Sequence, residues 1–98
     1  MSDAIVVFAH FLARPGHEDA LRSAIETAQG PVRAEEGCHV YDLHVNVENP
    51  AEMFLYERWE SRAALTAHGA TPHIATLRAV LADVLAGPAR VTVTRLVG

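Results

Sequence analysis

Residues 4–13 (AIVVFAHFLA) constrain this chain more than any other segment, being almost continuously apolar, rich in β-branched and aromatic side chains, and closed by the breaker Pro15-Gly16. Such a run reads as a β-strand. Its alternate positions are apolar on both sides, Ile5, Val7, Ala9 and Phe11 against Val6, Phe8 and Leu12. A strand in an antiparallel sheet with one wet face should alternate apolar and polar residues, so this one asks for cover above and below. The chain has 98 residues, half of them apolar, and no Gly/Ser-rich or Pro-rich linker, so a single domain over 1–98 is expected. A domain of that size has helices enough to blanket one face of a small sheet. The other face is expected to meet a second copy of the same sheet, giving a homodimer through sheet faces that buries roughly 800 Å² per partner.

The rest of the chain alternates helix and strand patterns. From His17 the apolar residues Leu21, Ala24, Ile25, Ala28 and Val32 recur at spacings of three and four, with Glu18 and Asp19 where a helix N-terminus favours negative charge. A helix is expected to about Glu36, kinked or divided near Gln29 by Gly30-Pro31 and stopped by Glu36-Gly37. Residues 38–48 alternate, with His39, Tyr41, Leu43, Val45 and Val47 on one face, and predict a strand. Asn49-Pro50-Ala51-Glu52 reads as a turn into a third strand over 53–60. Ser61 caps a short helix over 62–67 that Gly69 ends, and Thr71-Pro72 supplies a cap and a first-turn proline for a helix ending at Gly87-Pro88. Residues 89–97 form the last strand. The order β-α-β-β-α-β, with the second helical region in two pieces, is that of an α+β ferredoxin-like fold with a four-stranded antiparallel sheet.

Eight basic against 12 acidic residues leave no basic stripe for a phosphate backbone, so nucleic acid is not an expected partner. No apolar run reaches the roughly 18–20 residues that span a bilayer, and Met1-Ser2-Asp3 opens with an acid where a signal peptide carries positive charge. The expectation is a cytoplasmic chain without a membrane partner. The single cysteine, Cys38, forms no intrachain disulfide and reads as a small buried side chain.

Six histidines raise the question of a metal. His39 and His44 are five apart on a strand and face opposite ways. His68 and His73 flank a helix break at Gly69 and Pro72, which removes the i, i+4 geometry of helical ligand pairs. His10 and His17 stand on different elements. No metal site is expected, and no GxGxxG, P-loop or cysteine cluster announces a cofactor.

The strings PGHEDAL (15–21), EEGCHVYDLH (35–44), YERWESRAALTAH (56–68) and TPHIATL (71–77) together resemble, in order and spacing over nearly the whole chain, the antibiotic biosynthesis monooxygenase family in its small quinol-monooxygenase branch. The resemblance implies a dimeric α+β barrel with a pocket between sheet and helices in each subunit. It also implies oxygenation of a small hydroxylated aromatic, a quinol or polyketide-like phenol, by dioxygen without metal, flavin or haem. An electron-rich phenolate can itself pass an electron to dioxygen, so such a protein need only bind the ring, take a proton and stabilise the anion. The family's strand glutamate and tryptophan match Glu57 and Trp59, its helical histidines His68 and His73, its loop glycine Gly37 and its strand tyrosine Tyr41. On that basis His68 is the expected proton acceptor, since histidine as a residue type can take up and release protons near neutral pH, and Trp59 the expected ring that shapes or stacks on the substrate. Tyr41, His44, Tyr56, Glu57 and His73 are the expected substrate contacts. Haem-degrading relatives of the fold use a first-strand asparagine; Asn46 and Asn49 are the only asparagines here, so haem is not implied. Two other readings share the same residues, a proton-transfer isomerase of a small signal or sugar-derived metabolite and a non-catalytic ligand-binding dimer.

Overall fold

The first strand takes the centre of the sheet. In the computed structural model, which describes residues 4–98, the elements run β1 (Ile5–Leu12), α1 (Glu18–Arg33), β2 (Cys38–Asn46), β3 (Asn49–Trp59), α2 (Arg62–Gly69), α3 (Pro72–Val84) and β4 (Arg90–Arg95). Met1, Ser2 and Asp3, which entered the expectation about localisation, lie outside the described residues. Among the described residues no helix is long and apolar enough to cross a membrane. The four strands pair antiparallel in the order β2-β3-β1-β4, so the arrangement is the ferredoxin-like one that the element pattern predicts.

The two faces of the sheet differ as the alternation of β1 requires. Val7, Ala9 and Phe11 of β1, Tyr41 of β2 and Met53, Leu55 and Trp59 of β3 are buried under the helices. Against them α1 lays Leu21, Ile25, Ala28 and Val32, spaced by three and four, and α3 lays Ile74, Leu77 and Val84. On the opposite face Phe8, Leu12 and Phe54 are 51%, 42% and 41% exposed. Phe8 packs on Tyr56 and Phe54 on His10, with ring centroids 5.7 and 5.1 Å apart.

The structure departs from the sequence reading at several boundaries. α1 is not divided at Gly30-Pro31; the proline lies in its last turn, and the helix stops two residues beyond it, at Arg33 instead of Glu36. The β2–β3 turn is Val47-Glu48 and not residues 49–52. Asn46 Oδ1 accepts the Glu48 N–H at 2.9 Å, an Asx turn that closes the hairpin early. Pro50 is tolerated in β3 because the pairing of β1 with β3 begins only at Leu12 and Glu52. A bulge between Cys38 and Val40 breaks the alternation of β2: Tyr41 is buried, whereas His39, predicted to share its face, is exposed. Ser61 does cap α2, its Oγ accepting the Ala64 N–H at 3.1 Å. Thr71 does not cap α3 with its side chain; its hydroxyl instead donates to the His68 carbonyl at 2.9 Å and ties the start of α3 to the end of α2.

The turn between α1 and β2 fixes the height of α2 above the sheet. Gly37 has φ +84°, and a Cβ there would stand 2.6 Å from Ala64 Cβ on α2. Its carbonyl also accepts the Glu60 N–H at 2.8 Å. Gly16 has a similar φ of +83° with nothing within 4 Å of its would-be Cβ. Gly16→Ala is therefore expected to lose only the cost of left-handed backbone, about 1–2 kcal/mol, while Gly37→Ala loses that and the displacement of α2. Urea unfolding of the two variants should rank them in that order, with Gly37→Ala the less stable.

Candidate active site

A cavity of about 330 Å³ lies between the helix-facing side of the sheet and the pair α2 and α3. Its floor is apolar, including Val7, Ala9 and Phe11 of β1 and Leu55 of β3, and its polar lining is Tyr41, Glu57, His68 and Arg78. It runs out along β4 past Val91 and Val93, which face the helices yet are 59% and 40% exposed. The volume is at the lower end of ligand pockets and the pattern, an apolar box with a few convergent polar groups, suits a small, largely apolar molecule.

His68 is placed by contacts on several sides. It stands in the last turn of α2, is 8% exposed, and its ring lies 4.5 Å from that of Trp59 and 5.9 Å from that of Tyr41. Its Nδ1 is 3.0 Å from Oε2 and 3.2 Å from Oε1 of Glu35, which lies between the end of α1 and β2. Facing an ionised carboxylate, which only accepts, Nδ1 is the nitrogen that carries hydrogen, and in a neutral imidazole Nε2 then keeps the lone pair. No described group bonds Nε2. This is the arrangement in which a carboxylate fixes the tautomer of an imidazole and leaves its other nitrogen as a base.

Glu35 was not singled out from the sequence. Its partners are 33 and 38 residues away, so no local spacing marks it. The one signal was its place inside the string EEGCHVYDLH, beside the Glu36-Gly37 break. The same carboxylate accepts a second imidazole, His73 Nε2, at 2.6 Å.

Glu57 and Trp59 form a buried pair on β3. Trp59 Nε1–H donates to Glu57 Oε1 at 3.0 Å, and the two side chains are 6% and 0% exposed. Burial is the main cause that holds the Glu57 carboxyl above its ordinary value, with the Glu35 charge adding to it; the bond from Trp59 and the nearby His68 offset part of the rise. Tyr41 is 2% exposed, and burial, then the Glu57 and Glu35 charges, push its phenol well up, so it stays protonated and able to donate. The Cys38 thiol is raised to about 11, first by burial and then by Glu35 and Glu57, and is not a ready nucleophile.

The expected site residues thus divide. His68, Tyr41 and Glu57 meet at the cavity. Trp59 lies behind His68, wholly buried, and does not line the cavity, since its ring is spent on the imidazole and its N–H on Glu57. His73 lies behind Glu35 and lines an outer groove between α1 and α3. His44 and Tyr56 project from the sheet's other face: the register sets His44 opposite Phe54 and Tyr56 opposite Phe8. Among the described residues no group of three or more His, Cys, Asp and Glu is disposed to hold a metal ion.

Glu57 gives the fold a pH dependence of definite sign. Its folded carboxyl titrates above the ordinary 4.5, so its contribution is present in full below that value and is lost as pH rises through the folded one. Glu57→Gln can still accept the Trp59 N–H but never ionises. Urea unfolding across the acid-to-neutral range should show Glu57→Gln gaining stability relative to the unsubstituted protein as pH rises; an unchanged difference would contradict the buried carboxylate.

Comparison with known proteins identifies the family and its fold. The family model described as antibiotic biosynthesis monooxygenase matches residues 4–80. The Mycobacterium tuberculosis protein named "Putative monooxygenase Rv0793" is 39% identical over 93 residues, 95% of this chain and 91% of that protein. "Probable quinol monooxygenase YgiN" of Escherichia coli is 36% identical over 92 residues, 83% of this chain and 88% of its own. The solved structure of Rv0793 superposes with a TM-score of 0.91 at 37% identity, covering 97% of this chain and 96% of that one. PA3566 from Pseudomonas aeruginosa superposes with a TM-score of 0.92 at 28% identity, covering 100% and 98%. With most of its length matched by the family model and its fold shared from end to end, the chain belongs to the antibiotic biosynthesis monooxygenase family.

Proposed function

We propose that this protein is a cofactor-independent monooxygenase that oxidises a small hydroxylated aromatic, a quinol or polyketide-like phenol, with dioxygen. The observation that carries the reading is His68, its Nδ1 held by Glu35 and its Nε2 unbonded at the wall of an apolar cavity of about 330 Å³. The name of the Escherichia coli relative as a quinol monooxygenase points to the same substrate class.

The chemistry follows from those groups. His68 Nε2 takes the proton of the substrate hydroxyl, and Glu35 stabilises the imidazolium that forms. The phenolate is electron-rich enough to reduce dioxygen. One oxygen atom becomes a carbonyl of the product and the other leaves as water, with the substrate supplying all the electrons and protons. Tyr41, held protonated by its burial, donates to the substrate oxygen as charge builds there. Trp59 packs on the imidazole and fixes the plane of the base. The low polarity of the floor strengthens each of these contacts and keeps bulk water from the anion.

The working unit in this reading is a homodimer joined through the outer sheet faces. Phe8, Leu12 and Phe54 supply the apolar surface that such a contact would bury. The same His68–Glu35 pair would serve a proton-transfer isomerase, which needs no dioxygen.

Dioxygen uptake with a panel of hydroquinones tests the assignment. His68→Gln should lower kcat by about 10²–10⁴-fold, with binding of the hydroquinone retained. Oxygen-independent conversion of the same compounds would favour the isomerase, and no turnover with any of them would remove the oxygenase reading. For the assembly, Phe8→Glu places a charge in the centre of the contact and should convert a dimer to a monomer in sedimentation velocity at micromolar concentration. A monomeric unsubstituted protein would sink the dimer.

A further inference from the structure

Glu57 is the buried polar group that the proposed chemistry leaves unused. Its Oε1 accepts the Trp59 Nε1–H at 3.0 Å, and no described group bonds its Oε2. Tyr41 stands directly opposite on β2, and its hydroxyl likewise bonds no described group. The two residues are only 6% and 2% exposed. A phenol can donate and a carboxylate can accept, yet the two do not bond each other. Among the described residues no side-chain oxygen or nitrogen is both sealed and unbonded. Glu57 Oε2 and the Tyr41 hydroxyl therefore reach open space, and the cavity of about 330 Å³ is the space that both residues line.

We propose that Glu57 Oε2 is the acceptor for a second hydrogen-bond donor on the ligand, a hydroxyl or an amino N–H carried by the ring whose first hydroxyl meets His68. The cavity then takes dihydroxy and amino-hydroxy aromatics and turns away their methyl ethers. The inference rests on the proposed function only in taking this cavity as the ligand site. An ionised carboxylate has lone pairs and no hydrogen, so Oε2 answers a donor and not another acceptor. A ligand that covers Oε2 without supplying a donor leaves a buried polar atom unpaired, which is costly in an apolar surround. For that reason a polar contact of this kind separates a hydroxyl from its ether far more sharply than an apolar wall separates two groups of similar size.

No neighbouring side chain supplies that donor. Arg78, the arginine of the cavity lining, donates to the Gly69 carbonyl at 3.0 Å. Near the end of α1, Arg33 is turned to the Tyr41 carbonyl and to Asp42, at 2.9 and 3.1 Å. His68 and Glu35 act on the Glu57 carboxyl through charge, the first lowering and the second raising it, while the hydrogen bonds among these three side chains join His68 to Glu35. Across the sheet, the residue opposite Glu57 on β1 is the apolar Val7.

Glu57→Gln tests the contact because it exchanges an acceptor for a donor. The Trp59 N–H keeps the amide carbonyl, and the amide NH2 takes the open place. Binding is followed by isothermal titration calorimetry across the neutral pH range without dioxygen, so that no oxidation intervenes. The probes are hydroquinone, resorcinol and catechol, each against its monomethyl ether, and the matching aminophenols. The unsubstituted protein should bind at least one diphenol, and its aminophenol, about tenfold or more tightly than the ether. In Glu57→Gln that ratio should fall to about one or invert, with the ether bound as before. Tyr41→Phe should weaken diphenol and ether alike and keep the ratio. Ethers that bind as tightly as their diphenols throughout the range, or a ratio that survives Glu57→Gln, overturn the inference, and dioxygen uptake would still leave the oxygenase standing. A ratio lost in Tyr41→Phe but kept in Glu57→Gln gives the second donor to Tyr41 and also overturns it. The expected ratios without any dioxygen uptake sink the oxygenase and keep the inference, and no binding by any compound removes both.

Discussion

One carboxylate holds the helical layer together over the cavity. Glu35 follows the end of α1, and its two bonds reach the last turn of α2 and the first turn of α3. The end of α1 is thus fixed to the α2–α3 corner, more than thirty residues on, by charge-assisted contacts, which are stronger and more directional than the apolar packing around them. The Thr71 hydroxyl on the His68 carbonyl and the close seat of Ala64 over Gly37 lock the same corner from either side. The contact that positions the His68 imidazole also sets which of its nitrogens faces Glu35.

The sheet contributes a second constraint of a different kind. Glu57 occupies the middle of the helix-facing surface, opposite Val7 on one neighbour and Tyr41 on the other, where an apolar residue would be the stable choice. Its one side-chain hydrogen bond comes from Trp59 two residues on. A carboxylate kept there at a cost in solvation is a mark of function more than of folding. It also raises the Tyr41 phenol, so the polar groups of the cavity tune one another through short distances in an apolar box.

Much of the fold was legible because its signals are local. The apolar β1, the three-and-four spacing of α1, the Ser61 cap and the Pro72 helix start each act within a few residues, and each is found in place. Boundaries were missed where a tertiary contact outweighed a local signal, as at Thr71, whose hydroxyl prefers the His68 carbonyl to its own helix. The bulge in β2 was invisible for the same reason. Alternation alone pairs His39 with Tyr41, and only the register against β3 shows the extra residue. The cavity residues were partly legible through family motifs, but motifs carry no depth. They grouped His44 and Tyr56 with His68 although the sheet separates them, and they passed over Glu35, which matters through partners more than thirty positions away.

The uneven wall of the cavity sets how selective it can be. At the His68 and Tyr41 end the helices sit close over the sheet, with Ala64 of α2 against Gly37. Along β4 the lining thins to Val91 and Val93, half open to the outside. A guest is therefore gripped closely at the end beside His68 and Tyr41 and loosely at the end that trails past β4. Discrimination should fall on the part of a guest held beside His68, while tails of differing length and bulk are admitted with little penalty.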